Sequence, residues 1–351
     1  MSKVDLAIAN PPYTLVNTRM NAKIEKIAKN VLQGKGVSYE EAYYLIEISG
    51  IEIYDLLYWA NRIRYNSFEN VVSLCSIISA RQGRCSEDCR FCSQSSRYKT
   101  EISNFPLIGK EEIAEAVERG KEYKSNSVGV VTSGYSLEES DNFDKICDDA
   151  YELSKQEGPP VHTSIGMITS KMAEKLVSSG VEMINHNLET SEGYYPNICT
   201  THTFKDRVET IKIAKGAGLK ICSGGIFGVG ESVGDRLDLA FKLRELDVDV
   251  IPMNFLNPVK GTPLSSENSL EPMEILKIIA VFRFIFPDKE IKVAGGREEN
   301  LRDVQSWMFY AGANSTMIGD YLTTRGKLPE DDLQMIKDLG LKYNVEEMQK
   351  H

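Results

Sequence analysis

The chain has 351 residues, room for roughly two domains of about 150, or for one (β/α)8 barrel of about 250 with additions. Hydrophobic residues make up 42% and charged residues 26%, a globular balance rather than a disordered or fibrous one. Fifty-one acidic residues against forty-one basic ones leave a net charge of −10, which disfavours a nucleic-acid binder and suits an enzyme of small molecules. No apolar run reaches the roughly 18 residues of a membrane span. The opening MSKVDLAIANPPYTLVN carries an acid and no long apolar stretch, so no secretory signal is expected and a cytoplasmic location is.

In chain order, residues 18–65 read as helices. NTRMNAKIEKIAKNVLQG stops at a glycine, and SYEEAYYLIEIS opens with a Ser-x-x-Glu capping box. From residue 71, short β-branched runs alternate with helical ones, the pattern of parallel βα units. Strands are predicted at 71–78, 127–133, 161–166, 183–187, 220–225, 250–254, 291–296 and 315–319. Eight strands over about 250 residues predict an α/β chain with a TIM-type (β/α)8 barrel. The expected division is an N-terminal helical extension (1–70), the barrel (71–322) and a C-terminal helical tail (323–351). A doubly wound open sheet is the alternative, and in either fold chemistry belongs at the C-terminal ends of the strands.

Seven cysteines, an odd number in a chain without an export signal, argue against a disulfide scaffold. Three of them, Cys85, Cys89 and Cys92 in CSEDCRFC, fall in the loop after the first strand. Structural zinc needs four protein ligands, and the next Cys or His is Cys147, in an apparent helix. Three thiolates suit a [4Fe–4S] cluster with one iron left open. Zinc completed from afar and a Cys-x-x-Cys redox pair are the alternatives, the second leaving one cysteine unexplained. The spacing, with Phe91 before the last cysteine, resembles the signature of the radical S-adenosylmethionine (SAM) superfamily, whose open iron chelates SAM. A second segment, CSGGIFGVGE, resembles that superfamily's adenine-packing motif. Gly224 and Gly228 would allow close backbone approach, and Ile226 an apolar face.

Within that superfamily the chain resembles the biotin synthase family from about residue 20 to 345. CSEDCRFCSQSSRYKT, NHNLETS, TTHTFKDR, CSGGIFGVGE, MNFLNPVKGTPL, AGGRE and AGANSTMIGDYLTT carry the resemblance. It implies sulfur insertion into dethiobiotin, driven by a radical from SAM. It also implies an electron donor such as flavodoxin or ferredoxin, and a homodimer. By position, Cys85, Cys89 and Cys92 would hold the SAM-binding [4Fe–4S] cluster. Asn187 and Asn254 would contact the ureido ring, Glu189 the SAM ribose in place of a family Asp, and Arg207 the SAM carboxylate.

The resemblance further implies an auxiliary iron–sulfur cluster, held in familiar members by three cysteines and an arginine. Here Cys222 matches one cysteine and Arg297, in AGGRE, the arginine. Gly129 and His162 stand at the other two cysteine positions. The expectation is therefore an auxiliary cluster of altered ligation, held by Cys75, Cys199, Cys222 and Arg297, with four irons and an extra sulfide as one form. Cys147 is read as structural, and His162 as a ligand, pocket residue or core histidine. A relative of the hydrogenase-maturase or methylornithine-synthase type, acting on another substrate, is the alternative function.

Overall fold

The computed structural model describes residues 20–137 and 140–343. The predicted N-terminal helices appear as α1 (Ala22–Leu32), α2 (Tyr39–Ile46) and α3 (Glu52–Phe68). Asn21 caps the first through its side-chain oxygen, and the second opens with the reciprocal Ser38–Glu41 capping box that its sequence predicts. The opening segment read for a secretory signal lies outside the described residues. Among the described residues no helix is long and apolar enough to cross a membrane.

The sheet has nine strands. They are β1 (Ser73–Arg81), β2 (Ser127–Thr132), β3 (Val161–Ser164), β4 (Met183–Asn185), β5 (Lys220–Cys222), β6 (Gly225–Phe227), β7 (Val250–Phe255), β8 (Glu290–Val293) and β9 (Ser315–Met317). All pairings are parallel, and β9 pairs back onto β1, which closes the ring and excludes the open sheet. β5 and β6 are two halves of one barrel strand. Cys222 opposite Val250 and Gly225 opposite Met253 place both on β7 in a single register. Eight barrel strands thus occupy the eight predicted places.

Followed once around the ring, the registers return to β1 eight residues out of step. That is the stagger of a TIM-type barrel, in which each lumen layer takes four side chains from alternate strands. The outward-facing Leu74, Ile184, Ile221, Ile251 and Ile291 are fully buried beneath the surrounding helices. Those helices are α4 (Lys110–Glu122), α5 (Asp141–Ser154), α6 (Ser170–Ser178), α7 (Phe204–Gly216), α8 (Val233–Glu245) and α9 (Pro272–Ile285). Cys147, on α5, belongs to this core.

Past β8 come two short helices, α10 (Arg297–Leu301) and α11 (Trp307–Tyr310), and past β9 the tail helix α12 (Pro329–Asp338). The tail is tied to the barrel. Lys342 O accepts from Val72 N at 2.8 Å beside β1, and the fully buried Asp332 receives Arg297 Nη2 at 2.8 Å.

Candidate active site

The cysteine loop emerges from the C-terminal end of β1 and folds back on itself. Cys85 N donates to Gln94 O, Ser96 N to Cys85 O, and Cys92 N to Cys89 O. These turns bring Cys85, Cys89 and Cys92 to one wall of a cavity of about 210 Å³ over the barrel mouth. Phe91, Asn187, Glu189, His202 and Arg207 line it too. Burial pushes the Cys92 thiol up to about 11, so metal binding would release its proton.

Asn187 and Glu189 follow β4, and Arg207 comes from the first turn of α7. Glu189 is buried, with its backbone in the left-handed region at φ 72°. Its Oε2 is buried without a hydrogen-bond partner among the described residues, an unused acceptor on a residue that lines the cavity. Burial pushes its carboxyl up, against Arg207, whose Nη1 lies 3.8 Å from Oε1. Arg207 Nε donates to Tyr195 Oη at 2.6 Å and Nη1 to Asn187 O at 2.8 Å, while Nη2 faces His202 Nε2 at 3.1 Å. Three of its five donors hold the site together, and two are left for an anion.

The glycine segment has a structural reason that sequence reading missed. A Cβ on Gly224 would stand 1.9 Å from Pro252 O, so strand approach alone demands glycine there. Gly228 has φ 90°, and its N–H donates to Glu231 Oε1 at 2.9 Å. Glu231 also accepts from Val229 N at 2.8 Å and from Arg236 Nε at 2.7 Å, clamping the loop before α8. Asn254 is likewise occupied, its Nδ2 donating to Gly225 O and its Oδ1 accepting from Gly295 N. Gly224, Ile226, Gly228 and Asn254 are not among the cavity's walls.

Two of the four residues expected to hold the auxiliary cluster lie elsewhere. Cys199 stands beside the first cysteine group, with its Sγ 3.7 Å from Cys89 Sγ, 3.3 Å from His202 Nδ1 and 3.4 Å from Asp88 Oδ1. The Cys89 thiol bonded to it, against burial, brings Cys199 down to about 4. Cys89, Cys199 and His202 are close enough to hold one metal ion, which is the zinc alternative in structural form. His202 is committed otherwise, however: Nδ1 lies 2.6 Å from Glu87 Oε2, and Nε2 faces Arg207.

Arg297 is also misplaced by the sequence reading. It opens α10, where its guanidinium binds Asp332, Glu298 Oε1 (2.9 Å) and Thr316 Oγ1 (3.1 Å). Thr316 precedes the inward-facing Met317 on β9 and points away from the lumen. The cation that faces the remaining thiols is Lys292 on β8, whose ammonium lies 3.7 Å from Glu290 Oε1 and, against burial, is held charged by Cys75, Cys222 and Glu290 together. The signal was present in the sequence: a lysine between Ile291 and Val293, two residues after Glu290 on the same side of the strand.

Residues 80–243 match the Radical SAM superfamily, and residues 252–342 the Biotin and Thiamin Synthesis associated domain. The biotin synthase of Geotalea daltonii is 45% identical over 322 residues, 92% of this chain and 98% of that protein. That of Geobacter sulfurreducens is 45% identical over 317 residues, 90% of this chain and 96% of the relative. Among solved structures, methylornithine synthase (PylB) shares the fold, with a TM-score of 0.81 at 20% identity over 92% of this chain and 99% of that one. So does HydG, a maturase of the [FeFe]-hydrogenase, with a TM-score of 0.78 at 16% identity over 91% of this chain and 74% of that one. Similarity over nearly the full length of both proteins, with both domains in order, shows that the chain belongs to the biotin synthase family of radical SAM enzymes.

Proposed function

We propose that this chain inserts sulfur into dethiobiotin to form biotin. One observation carries the reading: a single lumen holds thiols at two depths, Cys85, Cys89 and Cys92 at its mouth, and Cys75 and Cys222 inside it. The donor sets fit the groups the family uses. At the mouth, three thiols flank the orphaned Glu189 Oε2 and the partly buried Arg207, as a cluster with an open iron and a polar nucleotide require. Deeper, two thiols face a buried ammonium. When bound, SAM and the mouth cluster supply a radical able to take hydrogen from unactivated carbon, and the deeper cluster supplies sulfur.

The chain's own residues bind, orient and exclude. Cys85, Cys89 and Cys92 would hold the mouth cluster through three thiolates, fewer than its irons, so that SAM could bind it. Arg207 offers its two spare N–H donors to the SAM carboxylate, and Glu189 accepts from the ribose hydroxyls. Asn187, whose Oδ1 accepts from Gly224 N at 3.2 Å, stands at the boundary between SAM and the substrate's ureido ring. Between the two thiol groups the lumen layers mix Gly129, Ser164, Gly224 and Ala294, small side chains or none, with the larger Ile77, Asn185, Pro252 and Met317. The barrel wall keeps water and oxygen from the reacting carbon.

The same reading takes residues 1–70 as an extension, 71–322 as the catalytic barrel and 323–351 as its tail. It places the enzyme in the cytoplasm as a homodimer reduced by a flavodoxin or ferredoxin. Anaerobic assay with SAM, dithionite and dethiobiotin tests the assignment of the two thiol groups. Cys85→Ala is expected to abolish 5′-deoxyadenosine, and Cys222→Ala to leave 5′-deoxyadenosine but remove biotin. Equal loss of both products in the two folded variants would reject the division of labour.

A further inference from the structure

Cys75 and Cys222 have lumen neighbours that the ring registers identify. Cys75 pairs with Ser127, Gly129 with His162, Asn185 with Cys222, and Pro252 with Lys292. With one residue of stagger per strand, Cys75 on β1, His162 on β3, Cys222 on β5 and Lys292 on β8 fall at one height. They come from the first, third, fifth and seventh barrel strands, so they are one complete four-side-chain layer. Such layers are ordinarily filled by Val, Ile and Leu. Here all four members carry a sulfur or a nitrogen.

The layer is not packed shut. Cys75, His162, Cys222 and Lys292 keep 5%, 8%, 4% and 5% of their surface; of their outward-facing neighbours Leu74, Thr163, Ile221 and Ile291 keep none, and Ser76 and Val161 keep 8% and 9%. Accessible surface thus reaches all four members of the layer. Gly129, in the layer above and paired with His162, has no side chain, and Ile77 Cγ2 and Asn185 Nδ2 lie 3.0 and 3.4 Å from where its Cβ would stand. His162 is more than nine-tenths buried, and neither ring nitrogen has a hydrogen-bond partner among the described residues. A buried imidazole without a partner is costly, and one in a layer shared with two thiols has the donor chemistry of a ligand. Burial, with Lys292 and Lys220 nearby, drives the ring down to about 3, so it offers a lone pair rather than a charge.

We propose that this layer is a mixed sulfur–nitrogen seat for the auxiliary cluster, with Cys75, Cys222 and the His162 imidazole as iron ligands and Lys292 as the neighbouring cation. The inference rests on the sulfur-inserting reading above. Imidazole can replace thiolate on the iron of a cluster, as the Rieske centres show, and a cation offsets the buried negative charge of thiolates and sulfide. Each thiol gives up its proton as iron binds. Cys199 and Arg297 have no part in it.

The test uses the full chain grown with nitrogen-15 histidine and reconstituted anaerobically with iron and sulfide, without SAM, whose amino group would add a nitrogen. Cys85→Ala, Cys89→Ala and Cys92→Ala together remove the mouth cluster, so the iron and paramagnetic signal that remain belong to the lumen. Pulsed electron paramagnetic resonance of the reduced protein is expected to show a directly bonded histidine nitrogen. His162→Cys should keep the iron and lose that coupling, and His162→Ala should lose at least half of the auxiliary iron. If the triple variant fails to fold, the same comparison between wild type and His162→Cys reads the coupling. A second cluster without histidine coupling overturns the ligand assignment alone. Absence of any iron beyond the mouth cluster overturns this proposal and the sulfur-inserting reading together.

Discussion

Glu189 shows how one residue can be spent on a ligand rather than on the fold. It adopts left-handed backbone without being glycine, stays buried, and leaves Oε2 unpaired, a combination that costs stability unless something binds there. Glu189→Gln keeps the shape and removes one acceptor and the charge. About tenfold weaker SAM binding is expected by anaerobic calorimetry, the value of one charge-assisted hydrogen bond; an unchanged Kd would remove Glu189 from the nucleotide site. The mouth thiols were legible because their chemistry depends on local spacing, which a sequence displays directly. Cys199 was not, because its contact with Cys89 joins positions 110 residues apart, and nothing local places it at the mouth rather than in the lumen. Arg297 and Lys292 differ by side of the strand and by the turn after it. The alternation in 290–294 puts Lys292 inside, whereas Arg297 falls beyond Gly296, at the start of α10.

At the scale of an element, the loop from β6 to α8 is built around Glu231. Its carboxylate gathers two backbone N–H groups and the buried Arg236, whose other end reaches Glu274 at 2.6 Å. Glu231→Ala leaves those donors unsatisfied and is expected to cost about 2 kcal/mol of unfolding free energy, with weaker SAM binding as the loop loosens. A stability loss near zero by denaturant titration would contradict the clamp. The sequence located this loop correctly but gave its glycines to the ligand. Gly224 answers to Pro252 O across the strand pair, a contact that exists only once β6 and β7 are side by side. The strands themselves were readable from β-branched runs and turn residues, and their ends moved by a few residues. Thus β1 extends to Arg81, and β4 stops at Asn185, before the two site residues that follow it.

For the whole molecule, closure of the barrel and anchoring of the tail are one problem. Arg297, after β8, binds Asp332 on α12 with both groups almost wholly buried. Asp332→Asn leaves the guanidinium with the Glu298 carboxylate and the Thr316 hydroxyl and is expected to lower stability by about 3 kcal/mol without changing iron content. Loss of auxiliary iron from the folded variant would return Arg297 to the cluster. The eight-strand count and the order of segments sufficed to predict this architecture. The lumen layers did not emerge, because they depend on the eight-residue stagger that only the closed ring defines. The central claim is that the deeper of two clusters in one barrel gives its sulfur to dethiobiotin. The most direct measurement is mass spectrometry of biotin from a single anaerobic turnover by enzyme reconstituted with sulfur-34 sulfide and natural-abundance SAM. The account predicts biotin carrying the heavy isotope. Formation of 5′-deoxyadenosine with no biotin, or with biotin carrying only light sulfur, would contradict it.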